Sequence, residues 1–146
     1  MMLRLMIVFT VLVSFALAED FSKCTVGVQG YDVVSYQTGK KPLRGNGNHI
    51  AVHKKVTYLF INKKNKETFE TNPERYVPAY GGYCAYGVSV GKKFVGDPDV
   101  WKVVDKKLYL NLDTKIQGLW KKDVPGNIKK ANTKWTEIQS VAPEKL

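Results

Sequence analysis

The residues best suited to chemistry in this chain lie together in one short segment. From residue 80 to residue 87 the sequence reads Tyr-Gly-Gly-Tyr-Cys-Ala-Tyr-Gly, which sets one cysteine among three tyrosines and three glycines. Glycine lets backbone approach a ligand, tyrosine offers an apolar ring with a hydroxyl group, and the cysteine thiolate is a nucleophile and metal ligand. The segment predicts a binding site around Cys84. The competing interpretation is a tight aromatic core turn with a buried, inert thiol.

A metal ion at this segment would be copper or zinc, because a thiolate is a ligand that both metals accept. The predicted ligands are Cys84 and His53, with a tyrosine or an aspartate as a possible third group. The competing interpretation is that His53 is a solvated surface residue. No closed four-ligand spacing is present in the sequence, so the prediction is limited to a site of two or three ligands.

The motifs of the common catalytic classes are missing from the sequence. A cysteine hydrolase needs a histidine aimed at its nucleophile, and the chain has only two histidines. A thiol-disulfide oxidoreductase would show Cys-x-x-Cys, and a phosphate loop would combine its glycines with a lysine. The sequence therefore favours a non-catalytic protein.

The first residues have the pattern of a secretory signal peptide. Arg4 precedes an apolar run over residues 5–17, and Ala-Leu-Ala at 16–18 forms a small-residue cleavage site. The run is shorter than the roughly 20 residues of a membrane-spanning helix. We therefore expect a secreted protein without a membrane span, which begins at Glu19.

Export makes a disulfide between the two cysteines a second hypothesis for Cys84. Secreted proteins keep their disulfides, and the count of two cysteines after the signal peptide is even. A bridge between Cys24 and Cys84 would close a long loop and stabilise the fold by roughly 4 kcal/mol in the chain-entropy model. The sequence leaves the free thiol and the disulfide open.

The charge of the chain is strongly basic, at +10. Most of this charge is lysine in scattered doublets, which suits a solvated surface better than the focused arginine patches of specific nucleic-acid readers. We expect no specific nucleic-acid partner, and weak attraction to anionic surfaces.

Hydrophobic patterning predicts a small single domain of the α+β class, in which β-hairpins pack against short helices and a C-terminal helical pair. The predicted hairpin turns are Lys54-Lys55 and Asp105-Lys106. In the first hairpin, Ile50 and Val52 are expected on the buried face and His53 on the opposite face in water. No internal repeat is apparent. The predicted division is a signal peptide at 1–18, an N-terminal segment at 19–29, the domain at 30–138 and a tail at 139–146.

Four separated blocks resemble the exported branch of the YHS-domain family, over about residues 28–138. They are Gly-Tyr-Asp-Val-Val-Ser-Tyr at 30–36, Tyr-Leu-Phe at 58–60 with Asn-Pro-Glu-Arg-Tyr at 72–76, Tyr-Gly-Gly-Tyr-Cys-Ala-Tyr at 80–86, and Asp-Pro-Asp-Val-Trp-Lys-Val-Val-Asp at 97–105. Other members carry cysteines associated with heavy-metal handling. Here the corresponding positions hold Ile61, Asn62 and Asn65, so the thiolate cluster of those members is missing.

The prediction that combines these observations is a secreted binding protein with a pocket near the Gly81-Gly82 backbone. It would take a metal ion or a small molecule. The predicted ligand-binding residues are Tyr31, Asp32, Tyr36, Tyr83, Cys84 and Tyr86. The alternative is a structural or interaction protein that has a Cys24–Cys84 disulfide and no ligand.

Overall fold

The computed structural model describes residues 25–39 and 41–146. These residues form two small sheets and six α-helices, and the predicted single-domain α+β class is confirmed. The strands are β1 (Thr25–Val26), β2 (Asn46–His53), β3 (Val56–Phe60), β4 (Asp97–Val104) and β5 (Lys107–Asn111). The helices are α1 (Ser35–Thr38), α2 (Lys63–Thr71), α3 (Pro73–Tyr76), α4 (Ala85–Ser89), α5 (Thr114–Lys121) and α6 (Val124–Ile138).

The two sheets are both built on the predicted hairpins. In the first sheet β3 is central, antiparallel to β2 and parallel to β1, and in the second sheet β4 pairs with β5. Each hairpin turns through two residues of positive φ, Lys54 and Lys55 in the first and Asp105 and Lys106 in the second. Two successive left-handed residues match the twist of the flanking strands, which is why such turns are favoured in tight hairpins.

The predicted orientation of β2 was wrong. Ile50 and Val52 are 44% and 40% exposed, and it is Ala51, between them, that is buried. Ala51 lies opposite Tyr58 on β3, and directly paired residues share a face of the sheet. Because Tyr58 faces the core, the register turns His53 inward as well, with its ring against Phe69.

The structure contains an internal repeat that was not predicted. Repeat 1 covers residues 27–71 and repeat 2 covers residues 79–121, and both run through a glycine turn, a short helix, a bulged hairpin and a capped helix. The bulge interrupts β2 between Asn46 and Ile50, and it interrupts β4 between Asp97 and Trp101. Asp97 therefore lies 51 residues after its counterpart Asn46.

Hydrogen bonds repeat along with the elements. Gly45 N donates to Gly30 O at 2.9 Å, and Gly96 N donates to Gly82 O at 3.0 Å. The second helix of each repeat is capped by a side chain as well, since Asn62 Oδ1 accepts from Asn65 N at 2.8 Å and Asp113 Oδ1 accepts from Ile116 N at 2.7 Å. Such caps stabilise a helix by about 1 kcal/mol each. The two halves share one backbone design although few of their residues are identical.

The repeats are joined by a shared core. Leu108 and Leu110 of β5 pack with the aromatic residues of repeat 1, including Tyr36, Tyr58 and Phe60. The other face of β5 carries Tyr109, which packs in a second cluster with helices of repeat 2 and α6. Both faces of β5 are therefore buried, and neither repeat has a complete core of its own.

Helix α6 is fixed to repeat 2 at its C-terminal end. Lys93 is only 8% exposed, and its Nζ donates to the backbone oxygens of Gln139 at 2.8 Å and Val141 at 2.6 Å. The same ammonium lies 5.4 Å from the ring centre of Tyr83 and 5.3 Å from that of Trp135. Two kinds of contact, hydrogen bonds and cation–π contacts, thus compensate the burial of one charge. Within the part of the chain that the structure describes, no helix has the length and apolar character needed to cross a bilayer.

Candidate functional site

A cleft of about 290 Å³ lies where the glycine turns of the two repeats meet. The turn at Gly27–Gly30 forms one side, and the turn at Ala79–Gly82 forms the other. A side-chain contact bridges them, since Gln29 Nε2 donates to Gly96 O at 3.2 Å. We call this the glycine cleft; its lining residues are Thr25, Val26, Gly27, Val28, Gln29, Val56, Gly81, Gly82, Tyr83, Val95, Gly96 and Leu110.

The backbone that borders the glycine cleft is held in an unfavourable conformation. Val28 has φ 47° and Gln29 has φ 51°, and Tyr80, which precedes the lining residue Gly81, has φ 54°. Left-handed backbone costs a non-glycine residue roughly 1–2 kcal/mol, and for a β-branched residue such as valine it is an outlier. In the described residues, the other non-glycine positions of positive φ are the four hairpin-turn residues. Backbone strain outside the hairpins is thus concentrated at this cleft.

Glycines in the lining keep the cleft narrow. A Cβ added at Gly96 would lie 2.5 Å from Leu110 Cβ, so a larger residue cannot stand there without displacing β5. Gly81 has open space around its Cβ position and lies at the mouth. No acidic, basic or thiol side chain is among the described residues that line the cleft. Such a surface suits an uncharged, partly apolar ligand.

Cys84 lies beside the glycine cleft and is closed off from it. The residue is 1% exposed, and its Sγ accepts from Gly87 N at 3.4 Å, which caps α4. The sulfur also lies 3.7 Å from Asn111 Oδ1. Cys84 is a free thiol in this structure, and Cys24 lies outside the described residues, so the disulfide stays a prediction. The environment is that of a structural thiol.

Asp32 is the counterpart of Cys84 in repeat 1, and it also stabilises the fold locally. Its carboxylate is fully buried and accepts four hydrogen bonds. The donors are Val34 N at 2.8 Å, Ser35 N at 3.3 Å, Ile61 N at 3.0 Å and Asn65 Nδ2 at 2.7 Å. With its lone pairs occupied by protein groups, the carboxylate has no position left for a ligand.

The predicted tyrosines do not form one pocket. Tyr31 and Tyr36 belong to the core cluster of repeat 1, and their hydroxyls donate to Asp99 Oδ2 at 3.2 Å and to Pro98 O at 2.8 Å. Tyr83 and Tyr86 pack against the second cluster. The four rings therefore belong to two different core clusters. Tyr83 is the member of the set that lines the glycine cleft.

The predicted metal ligands belong to different surroundings. His53 Nε2 lies 2.8 Å from Glu74 Oε1 at the end of β2, whereas Cys84 contacts Gly87 and Asn111. Among residues 25–39 and 41–146, no group of three or more histidine, cysteine, aspartate or glutamate side chains could hold a metal ion. The geometry gives no support to a copper or zinc site at Cys84.

Several residues of the cleft were missed by sequence reasoning. Val28 and Gln29 fall at the end of the predicted N-terminal segment at 19–29, and Val95 lies in no predicted helix or strand. A signal was present, because Gly30-Tyr31 and Gly82-Tyr83 are the same pair at corresponding positions of the two repeats. Had the repeat been recognised, the first glycine turn would have been identified as the counterpart of the second.

In comparison with known proteins, no family model, no curated protein and no solved structure matches the chain. The resemblance to the YHS-domain family therefore stays a prediction.

Proposed function

We propose that this chain is a secreted, non-catalytic binding protein of the YHS-domain family, and that the glycine cleft holds a small, uncharged ligand. The observation that carries the proposal is the strained backbone of Val28 and Gln29, which line the cleft, and of Tyr80, which precedes the lining residue Gly81. The left-handed φ values of these three residues cost free energy, and backbone strain of this kind clusters at active sites and ligand-binding loops.

The chemistry of the cleft supports a neutral ligand. Its described side chains are apolar apart from Thr25, Gln29 and the Tyr83 hydroxyl. The volume of about 290 Å³ suits a ligand the size of one or two rings. A metal ion is not part of the proposal, because the cleft offers no anionic or imidazole ligand among the residues described.

The test is a titration of the folded protein with 2-naphthol, a neutral aromatic probe, followed by amide chemical shifts. Glycine amides are resolved from most others, and Gly82 and Gly96 belong to this cleft. We expect the shifts of these two amides to change on binding. Val95→Arg should weaken binding by about tenfold, since Val95 lines the cleft and is 65% exposed, so that a charged side chain fits there without unfolding the protein.

Val90→Arg is the matched control. Val90 is 57% exposed and lies outside the cleft lining, so this variant should bind as the parent does. Equal affinity in the parent and Val95→Arg would contradict the proposal. That result would favour the alternative, a structural or interaction protein without a ligand.

A further inference from the structure

A second cleft lies on the other side of Gly81 and has a different chemistry. Its volume is about 330 Å³, and both repeats, α3 and α6 contribute to it. The floor is apolar and aromatic, whereas the rim carries four ionisable groups. We call it the basic cleft; its aromatic residues are Tyr58, Tyr80 and Trp135, and its ionisable rim residues are His53, Lys54, Glu74 and Lys107.

Among the described residues that line the basic cleft, Glu74 is the acidic one. Its Oε1 lies 2.8 Å from His53 Nε2 and 2.6 Å from Lys54 Nζ, so a single carboxylate oxygen contacts both basic side chains. The hydrogen bonds from Lys54 and His53 lower the pKa of Glu74 to about 2. The Glu74 and Lys54 side chains are 58% and 72% exposed. Water screens this exposed contact, so it contributes little to stability despite the lowered pKa of Glu74, and the carboxylate can leave at small cost.

Lys107 adds a cation that no carboxylate contacts in the described structure. Its side chain is half-buried, and Nζ donates to the backbone oxygen of Glu74 at 3.0 Å. Burial lowers the pKa of this ammonium, because it is partly removed from water without an ion pair. An ammonium has three hydrogens, and the contact with Glu74 O uses one of them. Lys107 is therefore able to donate to a ligand in the cleft.

We propose that the basic cleft binds an organic anion whose carboxylate replaces that of Glu74. The ligand carboxylate would contact Lys54 and His53 and face Lys107, and a ring attached to it would lie on Tyr58, Tyr80 and Trp135. Glu74 is then an internal competitor, because its carboxylate contacts Lys54 and His53 when no ligand is bound. This site differs from the glycine cleft in its ligand. The ligand of the basic cleft is an anion, whereas the glycine cleft has no charged side chain to pair with one.

Two sources could supply this chemistry, an aromatic acid or the uronic acid of a polysaccharide, because both sugar and aromatic rings pack on aromatic side chains. The probes are therefore 2-naphthoate and methyl glucuronide, both of which have a free carboxylate, titrated calorimetrically into the folded protein. The neutral analogue 2-naphthamide is the control for charge. We expect at least one of the two acids to bind. If the aromatic acid is the ligand, the amide should bind about tenfold more weakly than 2-naphthoate, because it lacks the charge.

Two variants should change the affinity for the acid in opposite directions, which a purely structural role of Glu74 and Lys107 would not produce. Glu74→Gln removes the competitor and should tighten binding of the acid by about threefold to tenfold, and Lys107→Met should weaken it by about tenfold. Glu137→Gln is the matched control for the first change, since Glu137 is 55% exposed and paired with Lys134 at 3.0 Å. Lys102→Met, at an exposed position of β4, is the control for the second.

If Lys107→Met fails to fold, Lys54→Met replaces it, because Lys54 is 72% exposed; it should weaken binding by about threefold to tenfold. Tighter binding in Glu74→Gln supports the proposal, whichever of the two acids is bound. Unchanged or weaker binding in a folded Glu74→Gln protein, or no binding of either acid, overturns it. Neither outcome bears on the glycine cleft, whose probe is neutral and whose variant is Val95→Arg.

Discussion

Asp32 and Cys84 occupy the same position in the two repeats. Each follows a glycine turn and a tyrosine. Each also donates a backbone hydrogen bond to a later segment of its repeat, Asp32 N to Leu43 O at 2.8 Å and Cys84 N to Phe94 O at 2.7 Å. Each side chain then accepts a hydrogen bond from a backbone N–H of the helix that follows, Asp32 Oδ1 from Ser35 N and Cys84 Sγ from Gly87 N. The thiol therefore stands where the first repeat has a buried carboxylate, and this explains its burial without any reactive role.

Replacement of Asp32 should be strongly destabilising. Asp32→Ala leaves four donors without their acceptor in a site with no exposure, and each unsatisfied buried group costs about 1–3 kcal/mol. We expect a loss of about 3 kcal/mol or more in the free energy of unfolding, measured by urea denaturation. Asp99→Ala, at an exposed position, should cost about 0.5 kcal/mol. Similar losses in the two variants would refute the structural role of Asp32.

The Cys84 thiol should be unreactive until the protein unfolds. With 1% exposure, it is not accessible to an aromatic disulfide reagent, and labelling of the native protein should be absent over minutes. When the protein is unfolded in denaturant without reductant, we expect Cys84 to be alkylated, which is measured from the mass of its peptide. A Cys84 peptide that is alkylated only after reduction would instead support the Cys24–Cys84 disulfide.

Lys93 and its neighbour Lys92 provide a matched pair for testing how α6 is held. Lys93→Met keeps most of the side-chain volume and removes the charged hydrogen bonds to Gln139 O and Val141 O. Hydrogen bonds to charged groups contribute about 1.5–3 kcal/mol, so we expect a loss in that range. Lys92→Met, at an exposed position, should change the free energy of unfolding by about 0.5 kcal/mol or less. Equal small effects would show that α6 is held by its apolar face alone.

Stability should fall in alkaline solution because buried tyrosines resist ionisation. Burial is the main cause that raises the pKa of Tyr36, Tyr58, Tyr80 and Tyr109, and for Tyr58 the value reaches about 12. The folded protein holds these protons after the unfolded chain has lost them. The stability is therefore complete below about pH 10 and declines as the pH rises toward 12.

The measurement is tyrosinate absorbance at 295 nm during an alkaline titration, with circular dichroism recorded in parallel. Only part of the absorbance change of the eight tyrosines should precede loss of structure. A complete change while the far-ultraviolet spectrum is intact would contradict the burial of these four hydroxyls.

Local patterns were sufficient to predict most of the secondary structure. The turn residues between alternating strands located both hairpins. Asn62 and Asp113 are residue types that favour a helix start, because their side chains can accept a hydrogen bond from the first turn. The face of β2 was mispredicted since Ile50 and Val52 are larger than Ala51, whereas the register with Tyr58 decides which face is buried. Size alone does not fix a register.

The candidate site was only partly predictable. Gly81 and Gly82 indicated where backbone would be exposed, and they do line the cleft. The opposite wall, with Val28 and Gln29, depends on how one repeat packs on the other, and that arrangement is set by the burial of Leu108 and Leu110 in the core of repeat 1. Long-range packing of this kind leaves no local pattern in the sequence.

The most direct test of a ligand in the glycine cleft is the affinity of 2-naphthol for the parent protein and for Val95→Arg, each followed at the amides of Gly82 and Gly96. We predict saturable shifts at both amides in the parent, about tenfold weaker binding in Val95→Arg, and parent-like binding in Val90→Arg. Absence of saturable shifts at Gly82 and Gly96, or equal affinity in all three proteins, would contradict it.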